Sequence, residues 1–253
     1  MARANPPSVP FLEVRGLSKA FGTERVLESV SFEVAERQTL SVLGRSGCGK
    51  TTLLKLLAGL QVPDAGVIVR RGADITTLPV ERRDIVYLYQ EPLLFPHLSV
   101  FENLAFGLRL RKVEPDRVRH QVSQMLDRLD LADQGEKPPH RLSGGQRQRV
   151  SFGRALIVSP SLLLLDEPFS SLDAETRTQM QALFKRVAAE FAITSIFVTH
   201  DLKEALLMGD GLATIRGGQL KQYASRQAFV ADPESGVGTE RDFWGSLGDG
   251  GHD

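Results

Sequence analysis

A glycine-rich stretch at residues 44–52 constrains this chain more than any other feature. It runs Gly-Arg-Ser-Gly-Cys-Gly-Lys-Thr-Thr and fits the pattern G-x-x-x-x-G-K-[ST]. The apolar residues 39–43 before it predict a short buried strand. Leucines then recur at helical spacing, at Leu53, Leu54, Leu56, Leu57 and Leu60. A turn from strand to helix predicts polyphosphate binding, because the first N–H groups of a helix are unpaired and its N-terminus is electropositive.

Each residue type in this loop has a separate task. Glycines let the backbone approach a ligand in conformations that a Cβ would penalise. Lys50 is expected to reach the β- and γ-phosphates, and the Thr51 hydroxyl is expected to bind Mg²⁺. The predicted nucleotide-binding residues of the loop are Gly44, Ser46, Gly47, Cys48, Gly49, Lys50, Thr51 and Thr52.

Length and composition are those of an ordinary globular chain. The 253 residues, 42% of them hydrophobic, suffice for one large domain or two small ones. Lys plus Arg equals Asp plus Glu at 31 each, so no overall field favours nucleic acid or an anionic membrane. Neither a signal peptide nor a membrane span is expected. Cys48 is the single cysteine, which excludes an intrachain disulfide and leaves a packing role or a redox role open.

Alternating residues predict a small antiparallel sheet ahead of the loop. Residues 11–14 and 30–34 alternate in polarity, with the turn-like 21–24 between them. Phe21 could belong to the core or could stack on adenine, which is worth about 1–3 kcal/mol per base. Further strands are predicted at 67–69 and at 85–88, the second leading into Tyr89 and Gln90.

The middle of the chain is predicted to be helical. Residues 93–101 are apolar but are interrupted by Pro96 after Pro92, which argues against one regular helix. These side chains could line a groove for a partner or pack a helical subdomain. A helix is predicted through 118–129. The serine and glycines at 143–145 begin another helix, either as a plain cap or as a second anion-binding site.

Acidic residues follow the next buried strand. Leu162 to Leu165 lead into Asp166 and Glu167. In a phosphate-loop protein the first acid is placed to hold Mg²⁺, and the second to orient or deprotonate the attacking water. His200 follows the predicted strand 196–199, at the sheet edge where ligands bind, and could be structural or catalytic. An amphipathic helix over 180–187 and a hairpin at Gly217-Gly218 are also predicted.

In this fixed order, the segments resemble the ATP-binding cassette proteins, the ATPase subunits of ABC transporters. Leu-Ser-Gly-Gly-Gln at 142–146 is the most specific match. The resemblance covers residues 11–230 and implies an α/β fold: a P-loop NTPase core with an N-terminal antiparallel β-subdomain and an inserted α-helical subdomain. The implied core is at about 11–90 and 157–230, the helical signature subdomain is at about 91–156, and a Gly-rich C-terminal tail, 231–253, follows. The resemblance also implies that the C-terminal regulatory domain of longer importer subunits is absent.

The resemblance assigns roles to individual residues. Phe21 matches the adenine-stacking aromatic, although tyrosine is common there. Glu167, His200 and Gln90 match the catalytic residues, and Thr51, Gln90 and Asp166 match the Mg²⁺ ligands. Beyond the phosphate loop, the resemblance implies nucleotide contacts from the signature segment 142–146 and from a segment that reaches the second subunit. These contacts are Ser143, Gly144, Gly145, Gln146 and Asp173.

The implied function is ATP hydrolysis that powers solute import. Two copies would face each other head to tail, each ATP lying between the loop of one copy and Ser143 of the other, and hydrolysis would open the dimer. Residues 90–100 are similar to the loop of importer ATPases that lies beside a groove for the membrane subunit. The implied partners are a second copy, permease subunits and, indirectly, a periplasmic or extracellular substrate-binding protein, with no nucleic acid. The implied location is peripheral, on the cytoplasmic face of the inner membrane.

Two alternatives belong to other classes, and a third stays within the transporters. A soluble ABC ATPase of DNA repair or translation is disfavoured, since repair members carry long coiled-coil insertions and translation members usually hold two cassettes in one chain. A nucleotide-gated scaffold without turnover is disfavoured because Glu167, Gln90 and His200 are all present. Export or lipid trafficking stays open, because this type of subunit never touches the cargo.

Overall fold

The computed structural model describes residues 10–239. Its strands are β1 Leu12–Phe21, β2 Glu24–Val34, β3 Thr39–Leu43, β4 Ala65–Arg70, β5 Ala73–Asp74, β6 Ile85–Leu88, β7 Leu162–Asp166, β8 Thr194–Thr199, β9 Gly211–Arg216 and β10 Gln219–Tyr223. Its helices are α1 Lys50–Ala58, α2 Val100–Leu110, α3 Pro115–Arg128, α4 Gly144–Leu156, α5 Ala174–Glu190, α6 Leu202–Met208 and α7 Arg226–Ala231. This mixture of helices, an antiparallel sheet and parallel strand pairs is the α/β fold predicted from the sequence.

The chain forms two compact units. The first comprises residues 10–79 and 196–239 of the described chain, and the second comprises Val80–Ser195. The first unit holds β1 to β5, α1, most of β8, β9, β10, α6 and α7, and the second holds β6, β7 and α2 to α5. The subdomain limits expected from the sequence, at about 90 and 157, stay predictions.

The first unit contains the expected antiparallel sheet, in the order β2-β1-β4-β5. Leu12 pairs with Val34 on one side and with Arg70 on the other. The strands are longer than predicted, since β1 continues to Phe21 and β2 begins at Glu24. Register shifts between Val14 and Leu17 explain the difference, because a bulge interrupts the alternation from which the strand was recognised.

The phosphate loop extends from the second group of strands in the first unit, ordered β10-β9-β3-β8. β3 runs parallel to β9 and is buried over most of its length. β9 and β10 form the predicted hairpin, turning at two glycines with positive φ, Gly217 and Gly218. These strands fix the point at which the loop leaves the sheet.

Helix α1 starts and stops at glycines. Gly49, with φ of 103°, precedes its first residue, and Gly59, with φ of 80°, ends it. Its buried face is formed by Leu53, Leu54, Leu56 and Leu57. The expectation that Leu60 continues this stripe is wrong, because the left-handed Gly59 ends the helix first and Leu60 is 44% exposed.

The second unit pairs two parallel strands with four helices. β6 and β7 are in register from Ile85 opposite Leu162 to Leu88 opposite Leu165. The segment from Glu91 to Leu98 is not helical, as its prolines predicted, but α2 begins at Val100 and had not been predicted. Ser99 caps α2 by accepting from the Glu102 N–H. The predicted helix through 118–129 is confirmed as α3.

One buried amide holds the irregular segment before α2. The side chain of Asn103 is fully buried, and its Oδ1 accepts from the Phe95 N–H at 2.8 Å. Its Nδ2 donates to the carbonyls of Phe95, Leu98 and Ser99 at 3.1, 3.1 and 2.9 Å. The irregular chain therefore receives, from one side chain, part of the hydrogen bonding that a helix would supply internally.

Two sequence expectations concern the outer parts of the chain. Among residues 10–239, no helix has the length and apolar character needed to cross a membrane. The predicted glycine-rich tail includes a short 3₁₀ turn at Pro233–Ser235. The suggestion that Phe243 and Trp244 dock lies outside the described residues.

Replacing Asn103 by Ala should lower the free energy of unfolding by about 2–4 kcal/mol, because several buried backbone groups lose their partner together. Urea unfolding followed by circular dichroism measures this change. Gln179→Ala, which removes an exposed amide from α5, should change stability by less than about 0.5 kcal/mol. Equal effects from the two variants would contradict the role given to Asn103.

Candidate functional site

Steric fit explains the glycines of the phosphate loop in the first unit. A Cβ on Gly44 would lie 2.6 Å from both Cys48 Sγ and Ile215 Cγ2. At Gly49 a Cβ would lie 2.9 Å from the Val26 carbonyl oxygen, and the backbone is left-handed. Glycine is thus required at both positions for the turn to close between β3 and α1.

The loop closes around a buried positive charge. Lys50 is 4% exposed, and its Nζ donates to the carbonyl oxygens of Gly44 at 2.7 Å and Arg45 at 3.1 Å. Ser46 and Gly47 are exposed at the tip, and Thr51 is exposed on the first turn of α1. Cys48 and Thr52 are half-buried. A buried ammonium at the N-terminus of a helix favours anions, and phosphate binding by this loop stays a prediction.

His200 lies next to this loop. It follows β8 and lines a cavity of about 400 Å³ together with Gly44, Arg45 and Ser46. The loop is tied to β8 by the Gly44 N–H, which donates to the Thr199 carbonyl at 3.1 Å. His200 is exposed, so it is not a core histidine. The first unit therefore brings together the predicted phosphate loop and His200, the predicted catalytic histidine.

Phe21 is a surface residue. It ends β1 and is 47% exposed, which excludes the alternative that it belongs to the core. The Lys19 ammonium lies 5.5 Å from the centre of its ring. An exposed aromatic face with a cation beside it can stack on a base.

The two acids at the end of β7 lie in the second unit and differ in environment. Asp166 is 8% exposed, and its Oδ2 accepts from the Tyr87 hydroxyl at 2.5 Å. Burial and this hydrogen bond raise the pKa of Tyr87 far above its usual range, so it remains a donor. Glu167 has φ of 45°, a left-handed conformation that costs a non-glycine residue about 1–3 kcal/mol. Strain of this kind is typical of functional positions.

The donors suit Mg²⁺ rather than a softer metal. Asp166, Gln90 and Thr51 offer oxygen atoms, which hard cations prefer. Among residues 10–239, no group of three or more His, Cys, Asp or Glu side chains could hold a metal. Mg²⁺ commonly uses one or two carboxylates together with substrate phosphates, and the Asp166 carboxylate of the second unit is a donor of this type.

The signature segment begins α4. The Ser143 hydroxyl accepts from the Gln146 N–H at 3.2 Å, and the Gln146 side chain accepts from the Ser143 N–H at 3.0 Å. This capping box confirms the cap alternative and leaves anion binding untested. A Cβ on Gly145 would lie 2.6 Å from Thr176 Cγ2, at the start of α5. Gly144 is exposed beside them.

Asp173 caps α5. Its side chain accepts from the Thr176 N–H at 2.9 Å, and this bond lowers the pKa of the Asp173 carboxyl. A charged cap suits the electropositive helix start.

The segment after Gln90 is divided between surface and interior. Gln90 is exposed, Leu93 is 53% exposed, and Phe95 packs against Phe106 with ring centres 4.6 Å apart. Val100 is buried. Part of the segment therefore packs the helical region, and part presents apolar surface, while the alternative of a partner groove stays a prediction.

Sequence reasoning missed Tyr87 as a partner of Asp166. The available signal was a tyrosine in a strand expected to be buried, because a buried hydroxyl needs a hydrogen-bond partner. Sequence reasoning also missed Arg154, whose guanidinium contacts the segment after Gln90. No sequence spacing identifies that contact.

Comparisons with known proteins agree with this geometry. The family model described as "ABC transporter" matches residues 27–170. The "Spermidine/putrescine import ATP-binding protein PotA" of Haemophilus influenzae (strain 86-028NP) is 40% identical over 90% of this chain and 61% of that protein. The protein of the same name from Thermobifida fusca (strain YX) is 41% identical over 92% of this chain and 62% of that protein. The chain thus spans about three fifths of the length of these relatives.

Replacing Tyr87 by Phe should lower the free energy of unfolding by about 1.5–3 kcal/mol, because Asp166 loses a donor to a charged group. The matched control is Tyr89→Phe. Its ring contacts the Tyr87 ring, with centres 4.4 Å apart, and Tyr89 is 39% exposed. The control should stay within about 0.5 kcal/mol of the parent. Thermal and urea unfolding without nucleotide distinguish the two variants. A loss of stability confined to Tyr89→Phe would refute the stabilising role of the Tyr87–Asp166 hydrogen bond.

Proposed function

The chain belongs to the ABC transporter family, and we propose that it is the ATP-binding and ATP-hydrolysing subunit of a solute importer. The observation that carries this proposal is the glycine loop closed around the buried ammonium of Lys50. A buried cation at a helix N-terminus recognises phosphate groups. The aromatic face of Phe21 supplies a base-stacking surface, which favours a nucleotide over free phosphate.

Hydrolysis in this proposal depends mainly on positioning and charge. Lys50 and the loop N–H groups hold the β- and γ-phosphates, and Glu167 orients or deprotonates the attacking water. His200 stabilises the charge that develops on the transferring phosphoryl group. Thr51, Gln90 and Asp166 would hold Mg²⁺, which supplies neutralisation of the phosphate oxygens.

Two copies of the chain would share each ATP. The helix N-terminus at Ser143 would serve as a second anion-binding site, and Gly144 and Gly145 are exposed or half-buried beside it. A triphosphate held by the loop of one copy would accept contacts from Ser143, Gly145 and Gln146 of the other, with Asp173 reaching across. The γ-phosphate then stabilises the closed dimer, and its release lets the dimer open.

The cycle would drive transport through permease subunits that contact the segment after Gln90. The exposed Leu93 offers apolar surface on an irregular backbone, a form suited to receiving a helix. The relatives named as import ATP-binding proteins favour import over export and over DNA repair. The chain would then work peripherally on the cytoplasmic side, with a substrate-binding protein as an indirect partner. The shared name does not fix the cargo, because cargo contacts belong to other subunits.

Replacing Glu167 by Gln should reduce the hydrolysis rate at least about 100-fold while MgATP binding persists, because the water loses its base. The variant should accumulate as a dimer with MgATP on size-exclusion chromatography. Glu114→Gln, an exposed cap of α3, serves as the charge-matched control and should hydrolyse ATP normally. Parental turnover in the Glu167 variant would remove this residue from its role.

Replacing Ser143 by Arg should preserve ATP binding by the isolated chain and abolish ATP-dependent dimerisation, because a large cation would fill the shared phosphate site. The control is Ser225→Arg, which also removes a serine cap, that of α7. Cap loss alone costs each variant about 0.5–2 kcal/mol. Analytical ultracentrifugation with MgATP in the Glu167→Gln background distinguishes them, and normal dimerisation of the Ser143 variant would refute the shared site.

A further inference from the structure

The guanidinium of Arg154 contacts the chain just after Gln90. Arg154 lies near the end of α4, and its Nη2 donates to the Leu93 carbonyl. Its central carbon lies 5.0 Å from the centre of the Phe95 ring, within the range of a cation–π interaction. One side chain of the signature helix thus binds both the backbone and the ring of this segment.

Arg154 also lies beside the chain that enters Gln90. It lines a small cavity of about 80 Å³ together with Tyr87, Tyr89 and Ser151. Tyr89 immediately precedes Gln90, and Tyr87 donates to Asp166. Arg154 is therefore adjacent to residues on both sides of Gln90.

Stability alone does not account for an arginine at this place. Nη1 of Arg154 is buried and has no hydrogen-bond partner in the described part of the chain. Burial also lowers the pKa of the guanidinium. An unsatisfied buried donor costs about 1–3 kcal/mol, so an apolar side chain of similar length would fill the site at lower cost. What an apolar side chain cannot do is donate to Leu93 and attract the Phe95 ring together.

We propose that Arg154 is the positioning residue that fixes the Gln90 segment to the signature helix and so holds the Gln90 amide at the metal-binding position. This inference rests on the proposed function, since it assumes that Gln90 serves a MgATP site. A partner residue that orients a metal ligand typically affects metal affinity about 10–100-fold when it is removed. Replacing Arg154 should therefore weaken metal binding to the ATP complex more than it weakens ATP binding.

The test replaces Arg154 by Lys, which keeps the charge but loses the planar fork. Mn²⁺, as a paramagnetic substitute for Mg²⁺, is titrated into the ATP complex and followed by electron paramagnetic resonance. The half-saturating Mn²⁺ concentration should rise about 10-fold, while ATP affinity without metal stays within about twofold of the parent. Hydrogen exchange should quicken in residues 89–98 and remain unchanged in α4.

The matched control is Arg149→Lys. Arg149 lies on the same helix and donates to the Leu129 carbonyl at 3.2 Å, away from the Gln90 segment. It should leave the Mn²⁺ titration unchanged. Phe95→Leu provides a second variant, which removes only the ring contact and should raise the half-saturating concentration about threefold. If Arg154→Lys does not fold, the Mn²⁺ titration of Phe95→Leu tests the proposal in its place.

The possible outcomes separate this inference from the proposed function. A parent chain that binds neither ATP nor Mn²⁺-ATP overturns the proposed function, and the inference with it. A parent that binds both, together with Arg154 and Phe95 variants that titrate like the parent, overturns the inference alone. Equal shifts in the Arg154 and Arg149 variants also overturn it, because they indicate a general loss of helix packing.

Discussion

The burial of the Lys50 ammonium is the constraint on which the rest of the first unit depends. A lysine charge away from water is costly unless polar groups surround it, and here the Gly44 and Arg45 carbonyls do so. Those carbonyls point inward only because the loop turns tightly, and the turn is possible only without a Cβ at positions 44 and 49. The glycines, the lysine and the start of α1 therefore form one interdependent arrangement.

In the second unit the buried charge is negative, on the Asp166 carboxylate. Asp166 is buried at the end of an apolar strand and accepts a short hydrogen bond from the Tyr87 hydroxyl. The next residue leaves the strand in a left-handed conformation, which turns the chain at Glu167. Two adjacent carboxylates thus enter different environments, one buried and fixed by a strand neighbour, the other more exposed on a strained turn. Such separation lets neighbouring acids take different chemical roles.

Much of this arrangement could be predicted from the sequence because it follows from local rules. The phosphate loop, the acids after the Leu162 strand and the cap at Ser143 each depend on residues within a few positions of one another. The failures have a different cause. Leu60 continues a leucine pattern, yet Gly59 ends α1 before it. The start of α2 was concealed by nearby prolines, and its preceding segment is held by Asn103, whose contacts no periodicity reveals.

The number of arginines in α4 does not reveal what their side chains contact. In the sequence these arginines suggest nucleic acid only weakly, because no excess of basic residues appears elsewhere. In the structure, the guanidinium groups of Arg147, Arg149 and Arg154 donate to the carbonyls of Leu142, Leu129 and Leu93. Each donor satisfies an irregular backbone segment within its own unit. Their charge therefore serves mainly to organise three loops around one helix, and Arg154 differs from the others because its loop carries Gln90.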